Sequence, residues 1–473
     1  MYELANKNVL VIGMGSSGRS ACRLLRDRGA RVTAVDVQDD AELRHEAEQL
    51  LALGAIVELG CKAAPGQAFD LAVVSPGVPL QSEMVKAITA RGIPLIGELE
   101  LGYQQSLCLN IAITGTNGKT TTTELVERIL SHCHRPTLAA GNIGVPLTSV
   151  VDRTRELDLL TLEVSSFQLE STRFFRPIIA VLLNLTPDHL DRYSGMADYV
   201  RAKARLFMNQ QVFDWAIVQS EALAQMHSLG IRIPAKTITF SAVNRRADLF
   251  YDRGLLISRL PDWSGPLFDM ARSRLQGPHN AENLMAALAV GRVLRLPLEQ
   301  MVEALKSYPP AAHRCELIAE INGIRFVNDS KATNPDAVSK ALQAMPLPAG
   351  GEPNVHLIAG GKDKGFDYHD LGPLISQRVK RAYLIGETRE KLRSAWSLFT
   401  PCTLMDSLLE AVSEAAGKAE AGDVVLLSPA CSSFDQFRNY QQRGETFRRA
   451  VKAWAQAASG SPRSQPSRQT SSA

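Results

Sequence analysis

The stretch AITGTNGKTTTT, residues 112–123, combines the residue types that hold phosphate groups. The usual phosphate loop has four residues between its first glycine and the Gly-Lys pair, whereas only Thr116 and Asn117 separate Gly115 from Gly118 here. A glycine turn from a strand into a helix directs backbone N–H groups and a helix N-terminus to one point, which attracts phosphate. The pattern therefore favours a shortened nucleotide loop over a tight turn with a surface lysine. Its predicted nucleotide-binding residues are Gly115, Thr116, Asn117, Gly118, Lys119, Thr120 and Thr121.

Candidate metal ligands follow the next two apolar runs. Glu163 ends LDLLTLE, and Asp188 and His189 follow PIIAVLLNLTP. Because ligands bind at the carboxyl ends of the strands of open parallel sheets, we expect these side chains beside the phosphate loop. Taken singly, Glu163 fits an ordinary strand end and His189 an ordinary surface residue. The coincidence of loop, carboxylate and Asp-His pair favours a nucleotide site.

A second glycine turn, GMGSSG at residues 13–18, fits the dinucleotide-binding pattern, with Asp36 at the end of the next apolar run. These residues alone leave a dehydrogenase open. The motif is weak by itself, and no hydride-transfer constellation is recognisable downstream.

The sequence pattern predicts that these residues are positioned by the strands and helices of three α/β domains. Continuous apolar strand patterns alternate with helical patterns along most of the chain, which favours parallel sheets with both faces covered. The predicted domains are a Rossmann-like domain at 1–106, a central P-loop-type ATPase domain at 107–311 with a small antiparallel patch, and a Rossmann-like domain at 312–458. The Ser/Pro/Gln-rich residues 459–473 are predicted to be a disordered tail.

Composition limits the class of protein. The 473 residues carry a net charge of +3, and no block of like charge suggests a nucleic-acid or membrane partner. The seven cysteines contain no CxxC pair, which favours a reducing compartment. No basic leader and no apolar run of about 18 residues is present. We therefore expect a cytoplasmic protein.

A series of motifs carries a family resemblance across about residues 5–455: GTNGKTTTT, EVSSFQLE, NLTPDHLDRY, GPHNAEN, HRCE, VNDSKATNPDA, GGKDKG and SPACSSFDQFRNYQQRG. In this order they resemble the Mur ligases, the ATP-dependent amino-acid ligases of peptidoglycan precursor synthesis. SSFQLE and SPACSSFDQF look most like the members that add D-glutamate to UDP-N-acetylmuramoyl-L-alanine. The resemblance implies a monomeric ligase that works through an acyl phosphate and forms ADP and phosphate. Alternatives are another Mur-type or folylpolyglutamate-type ligase and, in a different class, a dehydrogenase or nucleotide-sugar sensor with a regulatory ATPase.

The resemblance also implies roles around the reacting groups. Lys119 would contact the β- and γ-phosphates, Thr120 and Glu163 one Mg²⁺, and His189 with Glu163 a second. Lys203 matches a family lysine that CO₂ carbamylates and that helps to hold the second Mg²⁺. The alternative for Lys203 is an ordinary solvated helix lysine.

Further roles carry over by position from the family motifs. The nucleotide would also contact Asn280 and Asn283, whose alternative is helix capping, and, from the third domain, Arg314, Asp329 and Lys331. Without the resemblance, Asp329 would be interpreted as a helix N-cap. The UDP-sugar would contact Ser16, Ser17, Asp36, Ser75, Gly77, Asn142 and Ser165. D-glutamate would contact Thr333, Lys364, Ser433 and Tyr440.

Three departures from family patterns bear on the substrate. Tyr440 stands where the family usually has phenylalanine, and Val37-Gln38 follows Asp36 where the family often has Thr-Arg. The DNPR motif of the diaminopimelate-adding relative is absent from the sequence, which favours glutamate over a diamino acid.

Overall fold

The structure is a computed structural model that describes residues 3–189, 192–309, 312–348 and 350–460, the side chains of 457–460 excepted. The chain divides into two compact units, Met1–Tyr308 and Pro309–Ala473. The first unit contains two sheets and the second contains one. These three sheets with their helices confirm the predicted three-domain α/β class.

The first sheet is parallel, with strand order β3-β2-β1-β4-β5. Its elements are β1 Asn8–Ile12, α1 Ser16–Asp27, β2 Arg31–Val35, α2 Ala41–Ala52, β3 Ile56–Glu58, β4 Leu71–Val74, α3 Glu83–Ala90, β5 Leu95–Gly97 and α4 Glu98–Gln105. The order reverses direction between β1 and β4, and a switch point of this kind is where open α/β sheets bind ligands.

The central sheet has nine strands in the order β14-β13-β12-β11-β10-β9-β6-β8-β7. The pairs β12–β13 and β13–β14 are antiparallel, which confirms the predicted patch. The elements are β6 Leu109–Thr114, α5 Lys119–His132, β7 Thr137–Gly141, β8 Leu159–Glu163, α6 Ser166–Glu170, β9 Ile179–Leu182, α7 Met196–Ala204, β10 Trp215–Gln219, α8 Ser220–Ser228, β11 Lys236–Ser241, β12 Leu249–Asp252, β13 Leu255–Ser258, β14 Gly265–Asp269, α9 Pro278–Val293 and α10 Leu298–Lys306.

The sheet of the second unit has the order β15-β16-β20-β17-β18-β19, with β15 antiparallel to β16. Its elements are β15 Glu316–Ile321, β16 Ile324–Asn328, α11 Pro335–Ala344, β17 Val355–Gly360, α12 Gly372–Arg378, β18 Val379–Ile385, α13 Arg389–Trp396, β19 Cys402–Leu404, α14 Leu408–Lys418, β20 Val424–Leu427 and α15 Tyr440–Gly460. Helix α15 includes the first two residues of the segment expected to be disordered. The rest of that segment, 461–473, lies outside the described residues.

Each sheet has an apolar cluster on both faces, and successive side chains of a strand enter opposite clusters. In β6, Ile111 and Ile113 join one apolar cluster with α5 and α9, while Ala112 joins the cluster on the other face. The same division applies to the other two sheets. Loops at the carboxyl ends of the strands are therefore held on a rigid base. Within the described ranges, no helix has the length and apolar character needed to cross a membrane.

Candidate active site

The predicted phosphate loop connects β6 to α5. Helix α5 begins at Lys119, and its N-cap Gly118 has a φ of 86° and no side-chain capping bond. A Cβ on Gly118 would lie 2.3 Å from Oδ1 of Asn283. Only glycine can adopt this left-handed φ and leave room for the Asn283 side chain. The short spacing in the motif therefore forms a specific turn that leads into a helix N-terminus.

Asn184, just after β9, shapes this loop from the neighbouring strand. Its Oδ1 accepts from the Asn117 backbone N–H at 2.8 Å, and its Nδ2 donates to the Asn117 carbonyl at 3.0 Å. Its own carbonyl accepts from the Thr116 N–H at 3.0 Å. Sequence reasoning missed Asn184, although it lies in the NLTPDHLDRY motif.

Two lysines converge on the loop. Nζ of Lys119 donates to the carbonyl oxygens of Gly115 and Thr116 at 3.0 and 2.9 Å. Nζ of Lys203, in α7, donates to the same Gly115 carbonyl at 2.9 Å. The side chain of Lys203 is among the largest fully buried ones in the chain, at 2% exposure. The solvated-helix alternative for Lys203 is therefore wrong.

The surroundings of Lys203 disfavour its charge. Burial lowers its pKa well below the usual lysine value, and repulsion from Lys119 lowers it further, against the opposing attraction of Asp188 and Glu163. The ammonium lies 4.8 Å from the centroid of the Tyr199 ring. The structure thus gathers two cations and two carboxylates around one glycine turn.

Glu163 ends β8 at the same edge and is 3% exposed. Its Oε1 accepts from Nδ2 of Asn142 at 2.7 Å, and its carbonyl accepts from the Asn142 backbone N–H at 2.8 Å. The two side chains that the resemblance assigned separately to metal and substrate are therefore in direct contact.

Asp188 and His189 follow β9. The Asp188 carboxylate accepts the His189 backbone N–H at 2.9 Å, and His189 Nε2 lies 3.7 Å from Oδ2. His189 has a φ of 54°, a strained value for a non-glycine residue and one that often marks a functional site. Its ring lies 4.7 Å from that of Phe167. Within the described residues, no group of three or more His, Cys, Asp or Glu side chains forms a metal site by itself.

Asn280 and Asn283 lie in the first turns of α9. The helix is capped by Gly277, with no side-chain capping bond, so the capping alternative is wrong for both asparagines. Asn283 Nδ2 donates to Asn280 Oδ1 at 3.2 Å, and its Oδ1 accepts from the hydroxyl of Thr122 at 3.2 Å. Asn283 therefore joins α9 to α5 beside the phosphate loop.

The first glycine turn is closely packed. A Cβ on Gly18 would lie 1.8 Å from the Gly13 carbonyl oxygen, so α1 can approach β1 only with glycine there. Asp36 Oδ2 accepts from the Met14 backbone N–H at 2.7 Å, and the Ser75 hydroxyl donates to the Gly13 carbonyl at 2.7 Å. Two predicted UDP contacts, Asp36 and Ser75, thus also shape the turn.

The remaining UDP candidates lie around that turn. Ser16 and Ser17 are the first residues of α1, and Ser16 is exposed. Gly77, also exposed, follows Ser75 after one residue. Ser16 and Ser17 thus lie at a helix N-terminus, where phosphate groups bind favourably, and their contact with UDP stays a prediction.

Arg192 connects the two domains of the first unit and was missed by sequence reasoning. It donates from Nη1 to the Pro76 carbonyl at 3.1 Å and forms an ion pair with Glu170 at 3.2 Å. Its guanidinium carbon lies 3.9 Å from the centroid of the Phe167 ring, which also contacts His189. Arg192 therefore joins the turn at residues 75–77 to the segment that holds Asp188 and His189.

Ser165 is the N-cap of α6 and forms a capping box with Gln168. Its hydroxyl accepts from the Gln168 backbone N–H at 3.2 Å. The Ser165 side chain thus caps α6, and its contact with a substrate stays a prediction.

In the second unit, Asp329 follows β16 and is 7% exposed. It accepts from the Ser428 hydroxyl at 2.8 Å and from the Cys315 backbone N–H at 3.1 Å. Burial raises its pKa to about 7, although these bonds and the nearby Arg314 oppose the shift. Asn334 caps α11, so the capping alternative for Asp329 is wrong.

Arg443, in α15, organises the loops that carry the other candidates of this unit, and sequence reasoning missed it. It is 1% exposed and donates from Nη2 to the carbonyls of Ser330 and Cys431, at 2.9 and 3.1 Å. It also donates from Nη1 to the Ser432 carbonyl at 3.3 Å. Burial lowers its pKa to about 10, which leaves it charged at neutral pH.

The predicted D-glutamate residues lie on or beside these loops. The backbones of Lys362 and Ser432 are bridged by a 2.9 Å hydrogen bond, which brings the GGKDKG and SPACSS segments together. Ser433 is 2% exposed, and Thr333 is half-buried. The remaining candidate cations lie against aromatic rings: Lys364 is 5.8 Å from that of Phe366, and Lys331 is 5.2 Å from that of Tyr440.

Known proteins match this chain along most of its length. Residues 7–97 match the MurD-like N-terminal domain of Mur ligases, 113–291 the Mur ligase middle domain, and 313–431 the Mur ligase glutamate ligase domain. Two relatives are both named UDP-N-acetylmuramoylalanine--D-glutamate ligase. The one from Acidobacterium capsulatum is 42% identical over 95% of this chain and 97% of its own. The one from Geobacter metallireducens is 40% identical over 95% and 98%.

Solved structures agree in fold. MurF from Acinetobacter baumannii has a TM-score of 0.60 at 18% identity and covers 94% of this chain and 93% of its own. A MurF ligase from Thermotoga maritima in complex with ADP has a TM-score of 0.59 at 16% identity and covers 96% and 100%. With domain matches in all three sheets and relatives at about 40% identity over nearly the whole chain, this protein belongs to the Mur ligase family.

Proposed function

We propose that this chain is an ATP-dependent ligase that adds D-glutamate to UDP-N-acetylmuramoyl-L-alanine and forms ADP and phosphate. The observation that carries the proposal is the convergence of Lys119 and Lys203 on the Gly115 carbonyl, with Glu163 and Asp188 close enough to act on the charge of Lys203. The names of the relatives, at 42% and 40% identity, support the choice of substrates.

The reaction needs an activated acyl group. A carboxylate oxygen of UDP-N-acetylmuramoyl-L-alanine attacks the γ-phosphorus, the bond to the bridging oxygen breaks, and ADP leaves. The amine of D-glutamate then attacks the acyl carbon, phosphate leaves, and the amine loses a proton. Lys119 would balance the charge that builds up on the transferring phosphoryl group, and the helix N-terminus at Gly118 would bind its oxygens.

Mg²⁺ suits the donor set at this edge. The ion usually takes one or two protein carboxylates and completes its coordination with phosphate oxygens and water, so a site with few protein ligands fits it. We assign Thr120 and Glu163 to one ion, and His189 and Lys203 with Glu163 to a second. When bound, Mg²⁺ neutralises charge on the phosphoryl oxygens.

Lys203 can bind a metal ion only after its ammonium group has lost its positive charge. Its lowered pKa favours the neutral amine, which can attack CO₂ to form a carbamate and release one proton. The carbamate supplies two hard oxygens and a negative charge in place of an ammonium. We therefore propose that Lys203 is carbamylated in the active enzyme.

We assign the base and ribose of ATP to Asn280 and Asn283, which lie beside the phosphate loop. From the second unit we add Arg314, Asp329 and Lys331. The buried Nε of Arg314 has no hydrogen-bond acceptor among the described residues, which supports a ligand contact there.

The UDP-sugar is assigned to the first glycine turn. The diphosphate would contact Ser16 and Ser17 at the start of α1, and the uracil would lie by Asp36, Ser75 and Gly77. Toward the reacting carboxylate we assign Asn142 and Ser165, on either side of Glu163.

D-glutamate presents two carboxylates, which call for cations and hydroxyl groups. We assign Lys364, Thr333, Ser433 and Tyr440 to it. The Arg443 contacts that join the loops of these residues support the assignment.

We place the reaction in the cytoplasm, where ATP and UDP-sugars are available and where the seven unpaired cysteines would stay reduced. From the family resemblance we expect a monomer to be active.

The proposal is tested by phosphate release from the purified chain with ATP, Mg²⁺ and UDP-N-acetylmuramoyl-L-alanine against a panel of amino acids. D-glutamate should give steady turnover, whereas L-glutamate and meso-diaminopimelate should give none. Full activity with L-glutamate, or release of AMP, would contradict the proposal. Lys119→Ala should abolish turnover and cost only about 1–2 kcal/mol of stability, because it removes two hydrogen bonds to loop carbonyls and leaves the apolar core intact.

A further inference from the structure

A cavity lies at the amino ends of β6, β8 and β9, opposite the end of the central sheet that holds the glycine loop. It has a volume of about 910 Å³ and is lined by residues within 103–110, 157–158 and 173–178. We call it the linker cavity, because it includes the connection between α4 and β6. Its volume falls in the range of small-molecule sites, about 300–1,000 Å³. The length of β6, about 20 Å, separates it from the glycine loop.

The walls of the linker cavity are mainly apolar and partly aromatic. Tyr103 and Phe174 line it together with Leu107, Leu157 and Ile178. Leu107 and Phe174 are 58% and 54% exposed, which is high for large apolar side chains beside a cavity. A flat apolar ligand would remove this surface from water and stack on an aromatic face.

One cation of the cavity has no counter-charge. Arg176 pairs with Asp214 at 2.8 Å, and Asp158 pairs with Arg135 at 2.6 Å. The guanidinium of Arg173 lies 5.3 Å from the Phe174 ring and has no carboxylate partner anywhere in the described part of the chain.

The Glu100 carboxylate contacts this segment without pairing with the Arg173 side chain. The Glu100 carboxylate accepts the backbone N–H groups of residues 173–175, at 2.8 to 3.1 Å. Its contact with Arg173 is therefore through the main chain. The guanidinium stays available to an anionic ligand.

We propose that the linker cavity binds a planar aromatic carboxylate. The ring system lies between Leu107 and Phe174, and the carboxylate pairs with Arg173. This site is separate from the proposed ATP and UDP-sugar sites and takes a different class of ligand.

The test is calorimetric titration of the full chain with 2-naphthoate, in the presence of saturating ADP and UDP-N-acetylmuramoyl-L-alanine. We expect saturable binding with one site per chain. Replacing the carboxylate by the amide should weaken binding about tenfold. Absence of binding, or equal binding of the amide, would overturn the proposal.

Variants locate the site. Arg173→Gln should weaken binding about tenfold, and Leu107→Trp, whose indole would occupy part of the ring site, should weaken it further. The matched controls are Arg246→Gln, at another exposed arginine, and Leu398→Trp, at a leucine that is 91% exposed. Both controls should bind as the wild type does. Binding that survives Leu107→Trp unchanged, or that ADP displaces, would place the ligand elsewhere and refute the assignment.

Discussion

Lys119 and Lys203 donate to one acceptor, the carbonyl oxygen of Gly115, at 3.0 and 2.9 Å. One lysine is half-buried in the phosphate loop, and the other is 2% exposed in α7. Two ammonium groups that share an oxygen repel each other, and the buried one loses more by keeping its proton. Lys203 is therefore biased toward the neutral amine, and we propose that Lys119 contacts the phosphate.

The first prediction concerns Lys203. Lys203→Ala should lower kcat by at least about 100-fold, as expected when a charged group that positions the reacting centre is removed. Acetate, a small carboxylate that fits the vacated space, should partly restore the rate. Incubation of the wild type with ¹³C-bicarbonate should give a carbamate signal that Lys203→Ala lacks. Near-normal turnover of the variant in CO₂-depleted buffer would contradict the carbamate role.

The second prediction concerns the shape of the glycine loop. Gly118→Ala forces a Cβ to within 2.3 Å of Asn283 Oδ1 at a φ of 86°, so the KM for ATP should rise at least about tenfold. Gly230→Ala is the matched control, because its φ of 73° is similar and nothing lies within 4 Å of the added Cβ. It should cost about 1 kcal/mol of stability and leave the KM unchanged. Equal kinetics for the two variants would show that the contact with Asn283 has no role.

The sequence predicts this site where local patterns are sufficient. The apolar runs before Gly115 and Glu163 place both residues at strand ends, and the parallel-sheet rule brings them to one edge. The burial of Lys203 could not be predicted in this way, because it depends on α7 packing against a loop far away in the chain. The capping alternative for Asn280 failed because Gly277 and Pro278 start the helix before it.

Sequence analysis also missed residues whose role depends on contacts with distant segments of the chain. Asn184, Arg192 and Arg443 all lie inside motifs that resemble the family, yet their partners are distant in sequence. A motif indicates that a segment matters, whereas the structure identifies which side chain makes the contact.

The third prediction concerns Arg443. Arg443→Lys keeps the positive charge but removes the planar guanidinium group, which donates hydrogen bonds to several carbonyl groups. We therefore expect a loss of about 2 kcal/mol in stability. The KM for D-glutamate should rise at least about fivefold with a smaller change in kcat, because the residue positions loops and does not touch reacting atoms. Arg449→Lys, at an exposed arginine of the same helix, is the control. A stability loss without a change in KM would reduce Arg443 to a structural role.

The fourth prediction concerns pH. Burial raises the Asp329 pKa from 3.8 to about 7, so the folded state holds this proton more tightly than the unfolded state. The contribution of this carboxyl to the free energy of unfolding is fully present below about pH 4. It decreases as the pH rises and is lost above about pH 7, a change of about 4 kcal/mol at most. Asp329→Asn should therefore become more stable relative to the wild type as the pH rises from about 5 to about 8.

Urea unfolding of a W215F/W263F background measures this effect, because the remaining tryptophans, Trp396 and Trp454, both lie in the second unit. The free energy of unfolding is compared between this background and the same background with Asp329→Asn. A difference between the two proteins that does not change with pH would show that this carboxyl does not titrate in the range.

The central claim is that the substrate carboxylate takes the γ-phosphoryl group at the glycine loop. UDP-N-acetylmuramoyl-L-alanine with both carboxylate oxygens labelled by ¹⁸O tests it directly, because the attacking oxygen leaves with phosphate when the amide forms. Mass spectrometry of the products should find ADP and one ¹⁸O in each phosphate released, with D-glutamate required. Phosphate without label, or label in AMP, would contradict the acyl-phosphate account.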